Sequence, residues 1–138
     1  MSTNFVQDIY NMHSKFGHHE AVDGMSPDQL KVLLKFRKDF LDEEHKEMHA
    51  AKTAAQFKDA LIDYCVVAIG TLDLFAADPQ EGWDKVDVAN MAKETGVNPG
   101  RPNPLGMPDL LKPAGWTAPV HTDVECGLLM DAFVPEEN

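Results

Sequence analysis

Phe40-Leu41-Asp42-Glu43-Glu44-His45-Lys46-Glu47, followed across a short junction by Asp59-Ala60-Leu61-Ile62-Asp63, is the stretch on which the reading of this chain turns. Both pieces lie in segments with helical spacing, Phe40 to Ala51 and Phe57 to Ala77, and both carry acids where the apolar pattern predicts core. At about 100° per residue, Val32, Leu33, Phe36, Phe40 and Leu41 share one broad side of a helix. Lys31, Lys35, Lys38, Asp39, Asp42, His45 and Lys46 share the other, so the helix is amphipathic. One more turn returns Glu43, Glu44 and Glu47 to the apolar side. Asp59 and Asp63 are four apart and stack on one face, and Tyr64-Cys65-Val66-Val67-Ala68-Ile69 after them offers no polar face to share. The pattern predicts that all five acids point inward.

Ionised carboxylates buried without partners cost several kcal/mol each or hold protons instead. A divalent cation removes that cost. Carboxylate-only ligand sets suit hard ions, Mg²⁺ with Mn²⁺ as a substitute, and Mg²⁺ so held keeps waters that a substrate phosphate can replace. The five acids are therefore read as one metal site for a phosphorylated substrate. The competing reading is a solvated charge run.

Length and composition bound the rest. At 138 residues the chain is expected to form one domain, large enough to bury a core without staples. It is 43% hydrophobic with no apolar run long enough to span a membrane. Met1-Ser2-Thr3-Asn4 has neither the basic nor the apolar region of an export signal. Cys65 and Cys126 lie far apart, and Cys65 falls in the most apolar helix, where a free thiol behaves as a small hydrophobe. No disulfide framework is expected, which fits a reducing cytosol. The net charge of −11 argues against tracking a nucleic-acid backbone.

Along the chain, Phe5, Ile9, Met12 and Phe16 keep helical spacing from Thr3 to about Lys15, and Gly17 stops the helix. His18 to Met25 reads as a polar connection, its two histidines solvent-exposed rather than metal-bound for want of a third ligand. Ser26-Pro27-Asp28-Gln29 is a strong helix start, opening a second helix to about Lys52. Thr53 and Gln56 repeat the capping pattern for a third helix that ends before Asp78-Pro79. The short junction makes helices two and three antiparallel neighbours. A fourth helix runs from Pro79 to a stop at Gly96. From Val97 to His121 there are six prolines with Gly100, Gly106 and Gly115, read as a long ordered arm anchored by Leu105, Leu110, Leu111 and Trp116. A short last helix is expected over Asp123 to Phe133, with Pro135 to Asn138 frayed. The expected fold is all-α: a four-helix-type bundle over residues of about 3–96, with an arm and C-terminal helix over 97–138.

These residues carry a family resemblance. The chain resembles the MazG-like all-α NTP pyrophosphatases, most closely the phosphoribosyl-ATP pyrophosphohydrolase-like branch of phages and bacteria. The family pattern is Glu-Glu-x-x-Glu, a short interval, then Glu-x-x-Asp. Glu43-Glu44-x-x-Glu47 matches the first half. In the second, Ala60 stands where the family Glu would fall if Asp63 is the matching Asp, and Asp59 looks like its replacement, since positions three and four apart share a helix face. Met12-His13-Ser14-Lys15-Phe16-Gly17 is similar to the Phe-His-x-x-Phe-Gly end of the family's first helix, and Asp63 to Thr71 resembles the segment leading to a Gly-Thr pair. Asn90-Met91-Ala92-Lys93 looks like Asn-Met-x-Lys, and Lys112-Pro113-Ala114-Gly115-Trp116 like Lys-Pro-x-Gly-Trp.

The resemblance implies a cytoplasmic homodimer or homotetramer, in the host cytoplasm for a phage-encoded chain. It implies Mg²⁺-dependent hydrolysis of an NTP or dNTP to monophosphate and pyrophosphate, with no nucleic-acid polymer or membrane as partner. Glu43, Glu44, Glu47, Asp59 and Asp63 would hold metal, Glu44 or Glu47 would accept the proton of the attacking water, and Asn90, Lys93 and Lys112 would meet phosphate oxygens. His13 either lines the base pocket or is a satisfied, half-buried histidine. Two alternatives remain: phosphoribosyl-ATP as substrate, and a degenerate bundle that binds or regulates without turnover, suggested by Ala60. His45 and His49 do not form the His-Glu-x-x-His of a zinc hydrolase and lie on the polar face. Asp42-x-x-His45 does not suit a di-iron bundle either.

Overall fold

The computed structural model describes residues 2 and 4–135 of the chain. The all-α class expected from the sequence is the class it adopts. Helix α1 spans Phe5–Lys15 and starts at Asn4, whose side chain accepts the Gln7 N–H at 3.0 Å. Gly17 then turns left-handed, φ 73°, a conformation that costs glycine little. That reversal restarts a helix at once, so His18–Asp23 is helix α2 and not the connection expected there.

Helix α3, Pro27–Ala50, opens with both halves of a capping box: Gln29 N–H donates to Ser26 Oγ at 3.3 Å, and Ser26 N–H to Gln29 Oε1 at 2.9 Å. Helix α4, Ala54–Leu74, starts at Thr53, whose Oγ1 accepts the Gln56 N–H at 3.1 Å. The Gln56 side chain does not close the box; it takes the Lys52 N–H at 2.8 Å. The two helices run antiparallel. Arg37 reaches Val67 and Thr71 while Glu44 faces Asp63, so numbers rise on one helix as they fall on the other. The stripe that α3 buries is Leu30, Arg37 and Glu44, seven apart.

Helix α5 covers Pro79–Met91 and stops short of Gly96. Glu94–Gly96 leaves the helix to form strand β1, which pairs antiparallel with β2, Asp109–Leu111, in the register Glu94↔Leu111, Thr95↔Leu110 and Gly96↔Asp109. Three-residue strands are too short to show alternation in sequence, so one strand was hidden in the end of the expected fourth helix and the other in the arm. The last helix is also divided. Asp123–Glu125 is one 3₁₀ turn and α6 is only Leu129–Ala132. Gly127 between them has φ 54°, and a Cβ there would collide with the carbonyl oxygens of Phe75 and Ala76. That close approach lets Leu128 N–H donate to Phe75 O at 2.7 Å, where α4 has ended and Ala76 turns to φ 53°. The end expected to fray lies largely outside the described residues.

The chain forms two compact units, Met1–Pro79 with Thr122–Asn138, and Gln80–His121. In the first, Val22, Leu30, Leu74, Phe75 and Ala132 make the core, with Met25, Leu33, Leu34, Leu128 and Leu129 packed on it. In the second, Trp116 Nε1–H donates to Ala89 O at 2.7 Å and anchors the arm to α5. Among the described residues no single helix is long and apolar enough to cross a membrane. Both cysteines are free, and Cys65 is exposed, not buried in its apolar helix.

Candidate metal and phosphate site

Helices α3 and α4 bring the predicted acids to one region of the first unit. Glu44 is buried, 7% exposed, and its Oε2 has no hydrogen-bond partner. Burial pushes the Glu44 carboxyl above its ordinary value, and the charges of Glu47, Asp63 and Glu43 push it further. Asp63 is half-buried, whereas Glu43, Glu47 and Asp59 are exposed. The inward orientation expected for all five is thus full for Glu44 and partial for Asp63. The wheel places Glu44 inward but centres the buried side of α3 wrongly: that side runs through Leu30, Arg37 and Glu44, about 100° round the helix from Phe36, and Val32 and Phe36, expected on it, are 71% and 63% exposed.

Beside Glu44, Glu47 and Asp59 line a cleft of about 280 Å³ with Ala50, Ala51, Gln56 and Ala60. Ala60 is buried and contributes only a methyl group to the cleft. The arrangement is a ring of carboxylates around a buried, unpartnered oxygen. Without a counter-ion it is self-repelling, and it can hold either a proton or a hard cation.

No family model, curated protein or solved structure matches this chain. The functional reading therefore rests on the residues themselves.

The second unit holds the three expected phosphate-binding residues. Lys93 and Lys112 converge on one ring, their Nζ atoms 5.5 and 5.2 Å from the Trp116 centroid. Each ammonium group gains a cation–π contact with the ring. Asn90 is exposed, and its carbonyl accepts the Lys93 N–H at 3.1 Å.

His13 is buried, 3% exposed, and its Nδ1 lies 2.6 Å from Asp73 Oδ2. His19, expected in solvent, is half-buried with Nε2 2.7 Å from the same oxygen, while His18 is exposed. Arg37 is buried beside them. Its Nε donates to Thr71 Oγ1 and its Nη2 to Val67 O, both at 3.0 Å, and burial pulls the guanidinium below its usual value. Arg37 and Asp73 were not singled out from the sequence, and His19 was set aside as solvent-exposed for want of a third ligand. Arg37 was findable, since it sits on the Leu30–Glu44 stripe. Asp73 had one signal, an acid closing the most apolar helix.

Proposed function

We propose that the chain is a Mg²⁺-dependent nucleoside triphosphate pyrophosphohydrolase that cleaves between the α- and β-phosphates to give a monophosphate and pyrophosphate. The observation that carries this reading is Glu44, a buried carboxyl with an unpartnered oxygen and three further acids acting on it. That donor set fits a hard divalent cation, Mg²⁺ or Mn²⁺, which Glu43, Glu44, Glu47, Asp59 and Asp63 would hold. When bound, the ion polarises a phosphate oxygen and acidifies a coordinated water.

The remaining chemistry belongs to the chain. Glu44, at the centre of the acid ring, would accept the proton of the attacking water and return it to the leaving group, with Glu47 as the alternative base. Glu47 and Asp59 flank a cleft large enough for part of a nucleotide. In the second unit, Lys93 and Lys112, each against the Trp116 ring, offer cations to an anion, and Asn90 an amide. In a chain of net charge −11, such local cations are what an anionic substrate needs. Exposed apolar residues on α4, Phe57, Leu61, Ile62 and Leu72, together with Val32 and Phe36, support self-association into a dimer or tetramer. A nucleotide substrate places the activity in the cytoplasm, that of the host for a phage-encoded chain.

A second reading, a bundle that binds nucleotide or protein without turnover, is favoured by Ala60 in place of a carboxylate. Product analysis on a panel of ribo- and deoxyribonucleoside triphosphates, with Mg²⁺ and with EDTA, separates the two. Pyrophosphate plus monophosphate, lost with EDTA, is expected. Turnover of phosphoribosyl-ATP alone would move the substrate assignment, and silence with every substrate would favour the binding protein.

A further inference from the structure

His13, His19 and Asp73 form a cluster that the proposed hydrolysis does not use. They come from three elements: the last turn of α1, the first turn of α2 and the last turn of α4. One donor atom from each lies within 4.8 Å of the other two, and His13 Nδ1 and His19 Nε2 both contact Asp73 Oδ2. His13 and Asp73 are both buried, while His19 keeps one edge toward solvent. We propose that these three side chains are a binding site for one divalent transition-metal ion, Zn²⁺ fitting best, that clips α1 and α2 to the end of α4. The proposal is independent of the hydrolase reading.

The chemistry of the donors selects the ion. Two imidazoles and one carboxylate suit zinc and its neighbours and are a poor set for Mg²⁺, which prefers oxygen. The acid ring around Glu44 has the opposite preference, so the two sites would take different metals. Geometry agrees. A tetrahedral ion with bonds of about 2.0–2.1 Å spaces its donors about 3.3 Å apart. The contacts of 2.6 and 2.7 Å to Asp73 need to open by roughly 0.6 Å on that basis, a change side-chain rotation can supply. Three protein ligands leave the fourth position to water.

The surroundings also match a ligand site. Ser14 Oγ lies 3.1 Å from His19 Nδ1, placed to accept an Nδ1–H in the tautomer that leaves Nε2 free to bind metal. Gly70 lets the His13 ring sit against α4; a Cβ there would lie 3.3 Å from His13 Cε1 and 3.0 Å from Arg37 Nη2. The Arg37 charge works against a second cation nearby. Arg37 is committed to Val67 and Thr71 and leaves Asp73 to the imidazoles, so its effect is to moderate affinity, not to fill the site.

The rival binder is the exposed pair His45 and His49, four apart on α3 with ring centroids 4.6 Å apart. Titration of the full chain with Co²⁺, read by visible absorption, and with Zn²⁺, read by calorimetry, distinguishes the two. One equivalent is expected, with a low-coordinate Co²⁺ spectrum that the double variant His45→Gln, His49→Gln retains and that excess Mg²⁺ does not erase. His19→Gln and Asp73→Asn should abolish the spectrum, and the exposed Ser14→Ala should weaken binding by about 10-fold, which keeps the test open should either ligand variant fold poorly. Retention of the spectrum in His19→Gln, its loss in the His45, His49 double variant, unchanged affinity in Ser14→Ala, or no stoichiometric binding would each overturn the site.

Discussion

Replacing Glu44 by Gln removes one charge from the acid ring while keeping the shape of the side chain. In the metal-free protein Glu44 is buried, its Oε2 lacks a partner, and Glu47, Asp63 and Glu43 repel it. Glutamine leaves a polar group in the same place, so the gain comes from the lost charge and its repulsion by the three neighbouring acids, and is about 1–2 kcal/mol near neutral pH. For a chain of this size that raises Tm by roughly 3–10 °C. The pH dependence has a definite sign. The folded carboxyl titrates above its ordinary value of 4.5, so the folded state holds the proton where the unfolded chain has lost it. Stability from this group is complete below that ordinary value and falls as pH rises through the folded pKa. The advantage of Glu44→Gln should thus vanish under acid conditions and grow toward neutrality. Mg²⁺ should reverse the order by stabilising the wild type, by about 2.7 kcal/mol at a hundred times its Kd, and leaving the variant nearly unmoved. Thermal unfolding by circular dichroism across pH, with EDTA and with Mg²⁺, is the assay. A variant less stable than wild type in EDTA at neutral pH, or equally stabilised by Mg²⁺, would refute the reasoning.

Other substitutions probe separate parts of the account. Glu47→Gln should lower kcat by roughly 10²-fold or more with an unchanged helical spectrum, and full activity would remove Glu47 from the machinery. Gly70→Ala should destabilise by about 1–2 kcal/mol, because a Cβ meets Arg37 Nη2 at 3.0 Å and His13 Cε1 at 3.3 Å and both are tethered; crowding outweighs the helix preference for alanine. Chemical denaturation measures this, and a stabilised variant would show that the His13–Arg37 contact yields. Ser26→Ala should cost about 1 kcal/mol through the lost cap of α3, read as a lower denaturation midpoint at unchanged slope.

What the sequence revealed was mostly local. Ser26-Pro27-Asp28-Gln29 announced α3 because a cap is a bargain between neighbours, and Thr53 announced α4 for the same reason. The periodicity around Phe40 placed Glu44 on the buried side, and the short junction after Ala50 implied the antiparallel pair. Long-range packing was not legible. Asp73 meets His13 across 60 residues, and no local pattern records that contact. Helix α2 escaped notice because a six-residue helix of polar residues with one buried valine has no period to read. Gly127 broke the last helix through its approach to Ala76, a feature of tertiary fit. The exposure of Glu43, Glu47 and Asp59 has the same origin, since a wheel gives direction and not what lies above it.

The most direct test is turnover in oxygen-18 water. Wild-type protein with Mg²⁺ and a nucleoside triphosphate should place the label in the nucleoside monophosphate and none in pyrophosphate, with Glu44→Gln forming little of either. Label in pyrophosphate or orthophosphate, or equal turnover in Glu44→Gln, would contradict attack at the α-phosphate from the α3–α4 acid ring.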